Sequence, residues 1–164
     1  MNIRKTSGGL LLSVILFTVV VAADKTNFSG RWVMTQAEGI PADMKQNMKV
    51  TQDGDKVEIE TDLFQGDNVQ TVPDQYTLDG KETQYHTRLA SGEETQAKRI
   101  AKWNADGNGF EARDVAVFDM ADGKVTITTV RKWLAAADGK SLVIEMSRSG
   151  PQGTVTSKRT FTRK

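Results

Sequence analysis

Three arginines stand two residues from a side chain that belongs in a core. Arg99 precedes Ala101 and Trp103 at even spacing, Arg131 lies two before Trp133, and Arg159 lies two before Phe161. In an extended chain residues i and i+2 face the same way, so if the aromatics point inward the guanidiniums do too. A buried guanidinium must be matched by an acceptor of opposite charge. Two partners fit: Asp114, which shares phase with Ala112 and Phe118, or the anionic group of a ligand. Both readings stand at this point, one structural and one functional. On the functional reading Arg99 and Arg131, with the aromatics Trp103, Tyr76 and Tyr85, are the candidate ligand-binding residues.

Other chemistries lack their residues. The chain has one histidine, His86, and no cysteine, so neither a histidine or thiolate metal site nor a thiol nucleophile can be assembled. His86 falls on the face opposite Tyr85 and Thr87, which directs it to solvent. There is no G-x-S-x-G elbow, and a triad would have to take His86 from the middle of a strand. Most acids, such as Asp53, Asp79, Asp106, Asp122 and Asp138, stand in turn sequences, where turn chemistry accounts for them. Gly107-Asn108-Gly109 lacks the strand-to-helix setting of a phosphate loop and reads as a hairpin. No catalysis and no cofactor are expected.

The elements that would carry the arginines follow a leader. Arg4 and Lys5 precede an apolar run from Leu10 to Val21, and small residues lead to Ala23 before Asp24. This is the pattern of a secretory signal peptide, and the run is too short to span a bilayer. Residues 1–23 are therefore set apart, leaving 24–164 as one domain, periplasmic or secreted, with no membrane span. Losing Arg4 and Lys5 turns the formal net charge of +1 slightly negative, so no nucleic-acid partner is implied. Without cysteine, the exported chain has no disulfide framework.

Beyond Gly30, turn signals such as Asp53-Gly54, Gly66-Asp67-Asn68, Asp79-Gly80, Ser91-Gly92, Asp122-Gly123 and Gly150-Pro151-Gln152-Gly153 recur at strand-length intervals. Ten strands are predicted, near 30–36, 46–52, 56–64, 69–78, 82–89, 94–104, 109–119, 124–135, 141–149 and 154–162. A single helical turn is predicted at Ile40-Pro41-Ala42-Asp43-Met44-Lys45. Alternation places Met48, Val50, Val57, Ile59, Tyr76, Leu78, Val125, Ile127, Trp133, Leu142, Ile144, Met146, Val155 and Phe161 on a dry face. One wet and one dry face suit an all-β, antiparallel up-and-down barrel of about eight to ten strands, since closure removes exposed edges. An open sandwich satisfies the same pattern.

At the first strand, Phe28-Ser29-Gly30-Arg31-Trp32 resembles the G-x-W opening of lipocalins and their calycin relatives. With Tyr76 to Glu82, Ala101-Lys102-Trp103, Arg131-Lys132-Trp133 followed by Ala137 to Leu142, and Ser149 to Gly153, the chain resembles a group of small bacterial exported lipocalin-like proteins. The resemblance implies a lipocalin-like barrel with an apolar-to-amphipathic cup. It also implies that Gly30 and Trp32 are structural and that a basic residue of the last strand lies across Trp32; the matching position is Arg159, with Arg163 as the alternative. The expected function is non-catalytic binding, by a monomer, of a small apolar or amphipathic ligand, one option being an anionic one. The rival is a protein-interaction or inhibitor module whose barrel is filled by its own side chains.

Overall fold

A computed structural model describes residues 25–89 and 91–164; the leader lies outside the described residues. The described residues form ten strands: β1 Gly30–Glu38, β2 Lys45–Asp53, β3 Lys56–Gln65, β4 Asn68–Thr77, β5 Asp79–Arg88, β6 Glu94–Trp103, β7 Gly109–Met120, β8 Gly123–Ala135, β9 Ser141–Gly150 and β10 Gly153–Arg163. Strands β1 to β9 each end at or next to a Gly- or Asp-containing turn. The predicted helical turn at 40–45 is a tight turn only, closed by the Met44 amide donating to the Pro41 carbonyl at 3.1 Å. Pro41 supplies no donor of its own, and the segment is too short to continue as a helix.

All ten strands belong to one antiparallel sheet in the order β4-β3-β2-β1-β10-β9-β8-β7-β6-β5. It is an up-and-down meander that wraps into a nearly closed barrel, with β1 joining β10 through Trp32↔Arg163, Met34↔Phe161 and Ala37↔Arg159. The open sandwich is thereby excluded. A bulge between Met34 and Gln36 bends β1, and β1 pairs with β2 only as far as Val33↔Asn47 before leaving it. The remaining seam lies between β4 and β5, the two ends of the strand order, which share no ladder and follow one another in the chain with Leu78 between them.

One end of the barrel is solid. Phe28, Trp32, Tyr76, Phe110, Leu142 and Phe161 are fully buried there. Phe110 stacks on Trp133 with ring centres 5.2 Å apart, while Phe28 meets Phe110 edge-on at 5.4 Å, the arrangements that the ring quadrupoles favour. The Trp32 indole donates to the Phe28 carbonyl at 2.9 Å. Gly30 has φ of 140°, a backbone conformation that side-chain-bearing residues rarely adopt, and so delivers Trp32 into the core. Residues 25–29 cross beneath this end, tied by the Thr26 amide to the Gly107 carbonyl and by the Phe28 amide to Gln52 Oε1.

Candidate ligand-binding site

Above the aromatic floor the inward positions change character. Arg99 on β6 is 4% exposed and faces Asp114 on the adjoining β7, its register partner. The pair is bidentate: Nε to Oδ1 at 2.6 Å and Nη2 to Oδ2 at 2.9 Å. The remaining Nη1 donates to Asp74 Oδ1 and to the Gln75 carbonyl, both at 2.6 Å. The guanidinium is also sandwiched between the rings of Tyr76 and Tyr85, 4.3 and 4.2 Å from their centres. Since Asp74, Gln75 and Tyr76 belong to β4 and Tyr85 to β5, this one side chain spans the seam where no ladder exists. Tyr76 is closed off in turn by its hydroxyl donating to Asp74 Oδ2 at 2.7 Å.

Arg131, from β8, donates to the second oxygen of Asp114. Burial alone would push the Asp114 carboxyl up, but the hydrogen bonds and charges of Arg99 and Arg131 outweigh it and hold the group below the usual carboxylate range. Asp114 is thus shared between two guanidiniums. Arg159 has no such partner. Its Nε is buried without an acceptor among the described residues, and its Nη1 reaches only Gln46 Oε1, at 3.5 Å. It meets Gln46 because β1 has parted from β2 at this level. Burial, with the neighbouring charge of Arg131, pushes the Arg159 guanidinium down from its ordinary value. Within this network three guanidiniums, Arg99, Arg131 and Arg159, face two carboxylates, Asp74 and Asp114, and one positive charge is in excess.

The expected ligand set is therefore divided. Arg99, Tyr76 and Tyr85 form a saturated internal latch, because Asp114 and Asp74 already accept from the guanidinium. Trp103 lies at the solid end, its indole donating to Asp55 Oδ1 at 2.8 Å with Lys25 over its ring, which removes it from the interior wall. The residue across Trp32 is Arg163, with its guanidinium 4.6 Å from the indole centre, and not Arg159. Both arginines have the same phase, and the β1–β10 register selects the one at the strand end. Arg159 moves from the structural role to the centre of the site. Gln46 and Ser157, both buried, were not singled out from the sequence, although each is a polar residue in an otherwise apolar inward phase. His86 is exposed, as its phase requires.

No protein-family profile matches the sequence, and no curated protein is significantly similar to it. Solved structures do match. The zebrafish ileal bile acid-binding protein complexed with cholic acid superposes with a TM-score of 0.51 at 20% identity, covering 84% of this chain and 98% of that one. A protein described as the REP1-NXSQ fatty acid transporter gives 0.50 at 13% identity, covering 84% and 96%. A secretory abundant heat soluble protein of Ramazzottius varieornatus gives 0.51 at 16% identity, covering 87% and 98%. The fold is a lipocalin-like, calycin-type barrel.

In this calycin-type barrel the cavities are open and modest. One of about 450 Å³ occupies the mouth opposite the aromatic floor, walled by Met120, Val125, Ile127, Val155 and the Gly150–Gly153 turn. Val155, in inward phase, is 64% exposed there, an apolar lip around the unplugged end. Another of about 420 Å³ lies along the β4–β5 seam, against Tyr85, His86, Asp74 and Arg99. A third of about 490 Å³ follows Lys132, Glu145 and Lys158 over β8–β10. Their charged side chains alternate in sign across the strands and neutralise one another, so it offers no comparable charge imbalance.

Proposed function

We propose that this chain is an exported, non-catalytic binding protein for a small amphipathic molecule, whose anionic group is held at Arg159 and whose apolar body lies toward the mouth lined by Val125, Ile127 and Val155. The observation that carries the reading is the single unneutralised guanidinium in an interior where every other inward arginine of the network has a carboxylate. An isolated buried charge is strongly unfavourable, and an anion of complementary shape removes the penalty. Two of the similar barrels have names or titles that mention a bile acid and a fatty acid, and another is named a secretory protein. Export is supported by the leader sequence, and kinship with small bacterial exported barrels by the motif stretches between Phe28 and Gly153; finding Asp24 as the N-terminus of material recovered outside the cytoplasm tests the former.

Binding is tested by calorimetry with dodecanoate and dodecanol, which share a chain and differ in charge. Dodecanoate is expected to bind at least about tenfold more tightly, the scale of one charge-assisted hydrogen bond. Equal binding of acid and alcohol overturns the anionic reading. The shallow cavities and the packed lower half favour one alternative, a solid barrel acting through its outer surface on a protein partner. Failure of both ligands to bind would turn the assignment that way.

A further inference from the structure

Two more buried donors, on β8 and β10, have nothing to donate to. The Ser157 hydroxyl and the Trp133 indole N–H belong to residues 7% and 3% exposed, and neither has an acceptor among the described residues. Strand register sets them in a block. Trp133 and Arg159 are both cross-strand partners of Ile144, and Arg131 and Ser157 are both partners of Met146. Alternation keeps all six side chains on the inner face, so polar positions on β8 and β10 flank two apolar residues of β9. Guanidinium and indole can only donate, and the serine hydroxyl can also do so. The wall therefore offers hydrogens and apolar surface, with almost no acceptor.

We propose that Ser157 and Trp133 are specificity-determining donors that complete the Arg159 site, restricting it to a monoanionic oxyacid head group, carboxylate or sulfonate, on an apolar body. The proposal rests on Arg159 holding an anion. One excess positive charge matches one negative charge. A phosphate monoester in its doubly charged form brings a second charge that the wall does not neutralise. An alcohol supplies a single oxygen and no charge, and leaves donors unanswered. Burying an unmet donor is unfavourable, and that penalty separates the acid from the alcohol.

The test uses the mature chain and calorimetry with dodecanoate, dodecane sulfonate, dodecyl phosphate and dodecanol, on wild type, Ser157→Ala and Trp133→Phe. Each substitution is expected to weaken dodecanoate and sulfonate by roughly fivefold to tenfold and to leave dodecanol unchanged. The ligand-free melting temperature of Ser157→Ala should equal or exceed that of wild type, because the hydroxyl lacks a native partner. A wild type that binds acid and alcohol equally, or neither, defeats the anion reading before the variants matter. If wild type prefers the acid while both variants keep the full preference, only the present proposal fails. A destabilised Ser157→Ala with an unchanged acid-to-alcohol ratio also overturns it, by showing a structural role. Dodecyl phosphate binding as tightly as dodecanoate at pH 8 overturns the single-charge selectivity.

Discussion

At Trp32 a single ring does the work of a plug. It is fully buried, its N–H is satisfied by the Phe28 carbonyl, and Arg163 covers its outer face. Trp32→Ala is expected to lower stability by about 3–5 kcal/mol in denaturant titration, the scale of a large aromatic removed from a packed core; a loss below about 1 kcal/mol would show the end to be loosely closed. That Trp32 is inward was legible from its spacing to Gly30. Which arginine covers it was not, because Arg159 and Arg163 are four residues apart on one strand and period-two alternation gives both the same face. Only the pairing of β1 with β10, shifted by the bulge after Met34, tells them apart. The same ambiguity hid Gln46 and Ser157: a polar residue in a dry phase is either a partnered core group or part of a site, and the sequence does not show what lies opposite.

Among the elements, β6 and β7 are held by more than their ladder. Phase offers Asp114 as one of two possible partners for the inward arginines, and it is the direct register partner of Arg99. The role of β4 could not be read in the same way, since alternation describes a strand's faces and not its edges. The seam between β4 and β5 therefore had no signature, and neither did the Arg99 latch across it. Arg99→Met keeps the volume but leaves Asp114 with Arg131 alone and Asp74 without a counter-charge, and should lower stability by about 3 kcal/mol. Acid should weaken the same contact. Because Asp114 titrates below its unfolded value, its contribution is fully present above the ordinary carboxylate pKa of about 3.9 and is lost as pH falls through the lower folded value. Asp114→Asn should accordingly be less stable than wild type at pH 7, with the difference shrinking toward pH 2 in chemical denaturation; a gap that stays constant with pH would show that Asp114 is not ionised in the fold.

For the molecule as a whole, turn signals and alternation delivered ten strands within a few residues of their observed limits and the barrel they close. They did not show which end is plugged, because that depends on the N-terminal segment crossing under the turns at Asp53–Asp55 and Asn104–Asn108. The resulting polarity runs from aromatic floor through charged layer to apolar mouth, and it places the excess charge where folding gains nothing from it. Arg159→Met therefore separates folding from function. Removing a partly buried guanidinium that has no carboxylate partner, and leaving a flexible apolar chain, should make the ligand-free barrel as stable as wild type or more so, by about 1 kcal/mol or above, while abolishing the preference for dodecanoate. Adding dodecanoate should reverse the ranking. At a concentration one hundred times its dissociation constant the ligand stabilises wild type by about 2.7 kcal/mol, whereas the variant, binding weakly, gains little. Melting both proteins with and without dodecanoate tests this, and a ligand-free Arg159→Met that melts well below wild type would mean that the guanidinium holds the barrel together rather than waiting for an anion.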